Sequence, residues 1–142
     1  MEPYIFELRF KVRDYECDMQ GIVNNSVYQN YFEHTRHEYM ASRGVNFADL
    51  FPKGIVPVVA RITIDFKNSL RSGDTFTSRL YVKKDGVKFT FFQALYRDSD
   101  DKLCIKAKVD TVCVINGRLT KGEYFDELFK NDLQNQLIDP KI

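Results

Sequence analysis

Apolar and polar residues alternate from the start of the chain. Over residues 4–12, Phe6, Leu8, Phe10 and Val12 fall on one side and the residues between them are mostly charged. That period of two predicts a half-buried strand. Residues 13–24 are polar with one glycine and read as a loop. Over residues 25–43 the period changes. Tyr28, Tyr31, Phe32, Thr35, Tyr39 and Ser42 recur at steps of three and four, which predicts one long helix with a mostly apolar stripe. Asn24 or Asn25 suits its start, because a short amide oxygen accepts an orphan backbone N–H. Gly44 suits the left-handed position just past its end.

From residue 55 the pattern is strand-like again. Residues 55–66 carry Ile55, Val56, Val58, Val59, Ile62, Ile64 and Phe66, and a polar turn follows over 68–74. Residues 75–83 alternate, with Phe76, Leu80 and Val82 prominent. Lys84-Asp85-Gly86 reads as a hairpin turn into a strand over 87–97. A turn at 98–101 leads to a strand over 103–115. Asn116-Gly117 marks a further turn or the strand's end, and residues 120–137 hold a short amphipathic helix around Phe125, Leu128 and Phe129.

The order is strand, long helix, then four consecutive strands. An antiparallel sheet with one apolar face needs a cover, and the long helix is the only large candidate. The expected class is α+β, a five-stranded antiparallel sheet wrapped around one central helix: the hotdog architecture. A ferredoxin-like arrangement needs a second major helix between strands, and residues 67–115 leave no room for one. With 142 residues, the chain is expected to form a single domain over 1–142.

Composition narrows the function classes. A net charge of +1 argues against a nucleic-acid binder, which carries a clearly basic footprint. Cys17, Cys104 and Cys113 form no C-x-x-C pair, so neither a disulfide framework nor a zinc signature is expected. Cys104 and Cys113 lie in apolar stretches and read as core residues. The N-terminal residues are interrupted by charge, so they lack the apolar run of a secretion signal, and no run approaches the ~20 residues of a membrane span. These features set a cytoplasmic expectation.

Chemistry concentrates between Tyr15 and Met40. Asp18 lies in the loop three residues before Gly21, followed by Ile22-Val23 and the capped helix start. A helix N-terminus offers unpaired N–H groups and a positive dipole end. Aimed at an acyl carbonyl, one such N–H stabilises the oxyanion that forms there. A neighbouring carboxylate attacks that carbonyl or activates a water, and Gly21 lets backbone approach closely. The alternative is a loop aspartate that is merely solvated.

The same segment resembles the signature of the 4-hydroxybenzoyl-CoA thioesterase-like family. The similarity is greatest to its Tol-Pal-associated acyl-CoA thioesterase branch, roughly Y-x-D-x-D-x-x-G-x-V-x-H-x-x-Y followed by F/Y-E-x-x-R-x-E. The matches are Tyr15, Asp18, Gly21, Val23, Tyr28, Glu33, Arg36 and Glu38. The resemblance implies an acyl-CoA thioesterase with Asp18 as catalytic carboxylate, acting as nucleophile or general base. It implies that the backbone N–H near Asn25 polarises the carbonyl, and that no cofactor or metal takes part. The branch's first aspartate is Glu16 here, and its histidine falls on Asn25, which cannot shuttle protons near neutral pH. The run Val23-Asn24-Asn25-Ser26-Val27-Tyr28 is also similar to the V-N-N-x-x-Y of acyl-carrier-protein thioesterases, which leaves that substrate open. A His-centred hotdog hydratase and a non-catalytic acyl-CoA-binding module are the remaining alternatives.

Gly21, Val23, Tyr28, Val58 and Val59 are the expected acyl-side contacts, with core packing the competing role for the two valines. Lys83, Lys84 and Lys88 flank the Asp85-Gly86 hairpin and are candidates for the phosphates of CoA. Lys67 and Arg71 stand equally available on another turn. His34 and His37 are expected on the polar face of the helix, without the converging ligands a metal needs. Glu33, Arg36 and Glu38 are candidates for ion pairs. Family resemblance and surplus aromatic surface together imply a homodimer or homotetramer whose active sites lie between chains.

Overall fold

The computed structural model describes residues 4–133. In chain order it has β1 (Phe6–Lys11), α1 (Asn25–Ser42), β2 (Ile55–Phe66), β3 (Thr75–Asp85), β4 (Lys88–Arg97), β5 (Lys102–Ile115), β6 (Arg118–Leu119) and α2 (Glu123–Leu128). Three single-turn 3-10 segments, Asp14–Glu16, Phe47–Asp49 and Phe51–Lys53, punctuate the connections. All strand pairs are antiparallel, in the order β1-β3-β4-β5-β2, with the two-residue β6 added beside β5. This is the expected hotdog sheet of five long strands, with one short extra strand.

Local chemistry accounts for these elements. Alternation is strict in β3, where Phe76, Ser78, Leu80 and Val82 point inward. The central strand β4 is buried on both faces over most of its length, at Phe89–Phe91 and Gln93–Leu95. Asn24 caps α1 by accepting the Ser26 N–H at 3.1 Å on its side-chain oxygen, and Gly44 takes φ 94° just past the helix end. Asn116 and Gly117 both have positive φ and join Ile115 to Arg118, the two-residue hairpin geometry that favours this dipeptide. At the other hairpin, Asp85 still pairs with Lys88, so the turn is Gly86-Val87, one residue later than the pattern suggests.

The sheet curls over α1. Tyr28, Tyr31, Phe32, Thr35, Tyr39 and Met40 are buried against it, as the helical stripe predicts, while Ser42 is exposed. Phe125 of α2 and the following Phe129 pack edge and face against Phe89, Phe91 and Tyr39 and close one end of the core. The expected helix over 120–137 thus has its described helical core at Glu123–Leu128; residues 134–137 lie outside the described residues. Cys104 and Cys113 are fully buried.

One expectation about packing is corrected. Val58 and Val59 are 39% and 43% exposed, so neither is a core residue. Among the described residues β2 is an edge strand, hydrogen-bonded only to β5, with Pro57 on it and a register shift between Val59 and Arg61. Proline and bulges are tolerated at such an edge because no ladder runs along its far side. The apolar run of residues 55–59 resembles that of a doubly covered strand, but among the described residues β2 ends the sheet.

Candidate active site

The loop before α1 is a closed, cross-braced structure. Gly21 N–H donates to Asp18 O at 3.0 Å, and Asp18 N–H donates to Ile22 O at 2.9 Å. Gly21 has φ 78°, the left-handed conformation that favours glycine at this tight turn. Asp18 Oδ1 accepts the Gln20 N–H at 2.8 Å, while Oδ2 accepts no hydrogen bond among the described residues. The carboxylate is exposed. Cys17 bridges to Val23, Ile22 bridges to Arg71, and Val23 N–H donates to Leu70 O at 2.9 Å. The loop is therefore tied to the segment before β3 at its far side.

Glu16 ties the near side. Its backbone oxygen accepts the Asn24 N–H at 3.0 Å. Its side-chain Oε1 accepts both the Arg13 N–H at 2.8 Å and the Tyr31 phenol at 2.8 Å. Tyr31 is buried, and burial together with the Glu16 carboxylate pushes its phenol pKa far up, so it remains a donor. Residue 16 thus joins the loop base to the second turn of α1.

At the helix start, Asn24 takes the capping position and Asn25 is the first helical residue. Among the described residues, no acceptor takes the Asn25 backbone N–H. It sits at the positive end of an eighteen-residue helix. Asn25 lines a pocket of about 120 Å³ with Ile22, Val23, Tyr28, Phe66, Lys67, Asn68, Ser69 and Ile105. Tyr28 is buried there and its hydroxyl accepts the Leu70 N–H at 3.2 Å. Burial raises the Tyr28 phenol above the ordinary tyrosine range.

Asn25, Val23 and Tyr28 thus come together in one pocket, and Asp18 and Gly21 sit on the loop whose Ile22-Val23 stem forms its wall. Asp18 and Gly21 do not themselves line it. An unpaired helix-start N–H on a residue that lines a partly apolar pocket suits an acyl carbonyl. Asp18 has a carboxylate oxygen free for nucleophilic or base chemistry, but it lies outside this pocket.

The three hairpin lysines lie elsewhere. Phe66 pairs with Ile105, and Lys88 pairs with Val112, so the hairpin lies about seven residues, roughly 23 Å, along the sheet from the pocket. Lys84 Nζ is held by Lys121 O at 2.9 Å and Asp126 Oδ1 at 2.6 Å. Lys88 faces Asp110 at 3.8 Å, and Lys83 lies over the Tyr81 and Phe92 rings. Lys67, on the other turn, is the lysine that lines the pocket. Sequence proximity to a hairpin carried no information on distance along the strands.

The helix charges also differ from expectation. Arg36 is buried and donates to Gln93 Oε1 at 3.0 Å rather than to either glutamate. Glu38 faces His34 at 3.6 Å. His37 is not on a purely polar face; it is half-buried and stacks on Phe47 with ring centroids 3.7 Å apart. Among the described residues, no group of three or more His, Cys, Asp or Glu side chains is placed to hold a metal ion, and no helix is long and apolar enough to cross a membrane.

Known proteins share this fold. Residues 12–136 match the family model described as "Thioesterase-like superfamily". The chain is 38% identical over 86 residues to the chloroplastic acyl-acyl carrier protein thioesterase ATL3 of Arabidopsis thaliana, covering 61% of this chain and 45% of that protein. It is 36% identical over 111 residues to ATL2 of the same plant, covering 78% and 59%. The chain therefore spans about half the length of these two relatives. A putative esterase of Aquifex aeolicus is 31% identical over 118 residues, covering 82% of this chain and 89% of that protein. The crystal structure of the hypothetical protein AQ1494 from Aquifex aeolicus superposes with a TM-score of 0.81 at 28% identity, covering 87% and 98% of the two chains. On the family match over residues 12–136, the shared fold and the full-length bacterial relative, this chain belongs to the thioesterase-like superfamily of hotdog proteins.

Proposed function

We propose that the protein hydrolyses an acyl-CoA thioester to a free carboxylic acid and CoA, with Asp18 as the catalytic carboxylate. The observation that carries this reading is the unpaired N–H of Asn25, a residue lining a pocket whose Ile22-Val23 wall leads into the Asp18 loop. The thioester carbonyl oxygen accepts that N–H, which stabilises the oxyanion as a nucleophile adds to the carbon. Asp18 either adds directly, giving an anhydride that water then opens, or removes a proton from the attacking water. In both routes the C–S bond breaks and the sulfur leaves as the CoA thiol. Lys67 lines the pocket, and we assign it to the polar pantetheine arm next to the thioester rather than to the distant nucleotide phosphates. The test is thiol release from a panel of aliphatic and aromatic acyl-CoAs. Turnover of at least one supports the reading, and binding without turnover identifies a non-catalytic module instead.

A second reading is favoured by a specific observation. The Val23-Asn24-Asn25-Ser26-Val27-Tyr28 run and the similarity to ATL3 and ATL2 support an acyl-carrier-protein thioester as substrate. The Tol-Pal-associated branch carries histidine where this chain has Asn25. Acyl-carrier-protein and CoA thioesters of the same acyl group, assayed side by side, separate the two by kcat/KM.

The assembly belongs to the same proposal. β2 is a twelve-residue edge with exposed Val58 and Val59, and natural proteins pair or cover such edges. Asp18 is exposed and outside its own chain's pocket. We therefore place the working site between two copies in a homodimer, or a homotetramer built from it. Sedimentation at assay concentration tests this, and a fully active 16.7 kDa monomer contradicts it.

A further inference from the structure

The outer face of the sheet carries cations that the hydrolysis does not use. Phe76, Ser78, Leu80 and Val82 point inward, so Arg79, Tyr81 and Lys83 of β3 point away from α1. Tyr81 pairs with Phe92 of β4, and Phe92 with Lys108 of β5; Ala94 pairs with Lys106 on the same face. The Tyr81 and Phe92 rings stack with centroids 4.7 Å apart. Lys83 Nζ lies 5.9 Å from each centroid, and Lys108 Nζ lies 6.0 Å from that of Phe92. The carboxylates of this face are mostly engaged. Glu7 faces Arg79 at 3.6 Å, and Asp98 accepts from Arg9 at 3.0 Å and Thr77 at 2.8 Å. Asp110 is buried, accepts the Thr90 hydroxyl at 2.8 Å and faces Lys88 at 3.8 Å. Asp65 stands opposite Lys106 in register. Among the described residues, Lys83, Lys106 and Lys108 form no ion pair. In a chain of net charge +1 this is a local positive excess. It attracts a surface of opposite sign. Tyr81 and Phe92 spend a face on each other, which leaves a poor platform for nucleic-acid bases. A second copy on this face would set lysines against lysines.

We propose that this face docks the acidic surface of an acyl carrier protein, with Lys83, Lys106 and Lys108 as its cations. The proposal rests on the carrier-protein reading of the substrate. Lys106 adjoins Ile105, which lines the Asn25 pocket, and Lys108 lies three residues, roughly 10 Å, from Ile105 along β5. Phe66 and Lys67, at the end of β2, line the same pocket. A phosphopantetheine arm spans roughly 15 Å, about as far as four extended residues. It therefore reaches from this face, around the end of β2, to the pocket. Pairing two copies along β2 extends the sheet in its own plane and leaves the outer face open.

The test presents one acyl group on two carriers. Combined Lys106→Glu and Lys108→Glu should raise KM for the acyl-carrier-protein thioester at least about tenfold with kcat little changed, and leave kcat/KM for the acyl-CoA within about twofold. Lys130→Glu makes the same kind of charge change beside α2, at a residue paired with Glu127, and should alter neither substrate. Equal effects of the sheet-face variant on both substrates, or no effect on either, overturn the proposal. A second measurement needs neither turnover nor a folded variant. In the labelled full-length parent protein, the apo carrier protein, which lacks the arm, should shift the NMR signals of Phe92, Lys106 and Lys108. Hydrolysis of the carrier thioester without those shifts overturns the docking and leaves the hydrolysis standing. The shifts without any turnover support the docking and overturn the hydrolysis. A single-stranded oligonucleotide or a second copy of the chain occupying this face in place of the carrier also overturns the proposal.

Discussion

Tyr31→Phe isolates one hydrogen bond. Tyr31 is buried, and its ring packs on Phe76 and Phe10 with centroids 4.8 and 5.3 Å away. Phenylalanine keeps those contacts and removes only the hydroxyl that donates to Glu16 Oε1 at 2.8 Å. A hydrogen bond to a charged acceptor contributes about 1.5–3 kcal/mol. Glu16 retains the Arg13 N–H at 2.8 Å and the Arg13 guanidinium at 3.6 Å, so its carboxylate is not stranded. That places the loss at the low end, about 1.5 kcal/mol, or a fall in Tm of about 5 °C for a domain of this size. Activity should fall more than stability suggests. Residue 16 joins the base of the Asp18 loop to α1, and a misplacement of about 1 Å costs up to ~10²-fold in rate. We expect kcat to drop about tenfold with KM little changed, measured by thiol release. Combining Tyr31→Phe with Glu16→Gln in a double-mutant cycle should give a coupling of about 1 kcal/mol. A Tyr31→Phe protein with unchanged Tm and unchanged kcat refutes the reasoning, because the bond then neither stabilises the fold nor positions the loop.

Two further predictions test other parts of the site. Asn25→Ala keeps the backbone N–H and should retain most activity, whereas Asn24→Ala removes the α1 cap and should cost about 1 kcal/mol in chemical denaturation; deep loss of activity in Asn25→Ala shows instead that its side chain is catalytic. His37 has its pKa lowered, chiefly by burial, so below about pH 6.5 the unfolded chain binds more protons and stability falls as pH drops. His37→Gln should flatten that fall between pH 7 and 5 in thermal melts, and an unchanged slope contradicts the assignment.

Much of this architecture is legible in the residue pattern, because each long element carries its own period. The α1 stripe, its Asn24 cap and Gly44 are local signals, and so are the dipeptides at the hairpins. The features that stayed hidden depend on partners far along the chain. Arg36 sits at a helical position that charge alone marks as exposed. Only the arrival of Gln93 from β4 and the phenylalanines around it make that position an interior one. Val58 and Val59 carry the composition of a covered strand, but the topology leaves β2 at an edge. Of the site residues, Asp18, Gly21, Val23, Asn25 and Tyr28 share one short segment, and reading them together required no long-range information. Lys67 joins them only because Phe66 pairs with Ile105 at that end of the sheet.

Asp18 is the residue we propose to carry the hydrolysis. Asp18→Asn preserves the side-chain oxygen that accepts the Gln20 N–H at 2.8 Å and removes the negative charge. The residue is exposed, so the melting temperature should stay within about 1 °C of the parent, in keeping with surface substitutions elsewhere. Steady-state thiol release from the best acyl-CoA of the panel should lose about 10²–10⁴-fold in kcat. A folded Asp18→Asn protein that releases thiol at the parent rate contradicts the account.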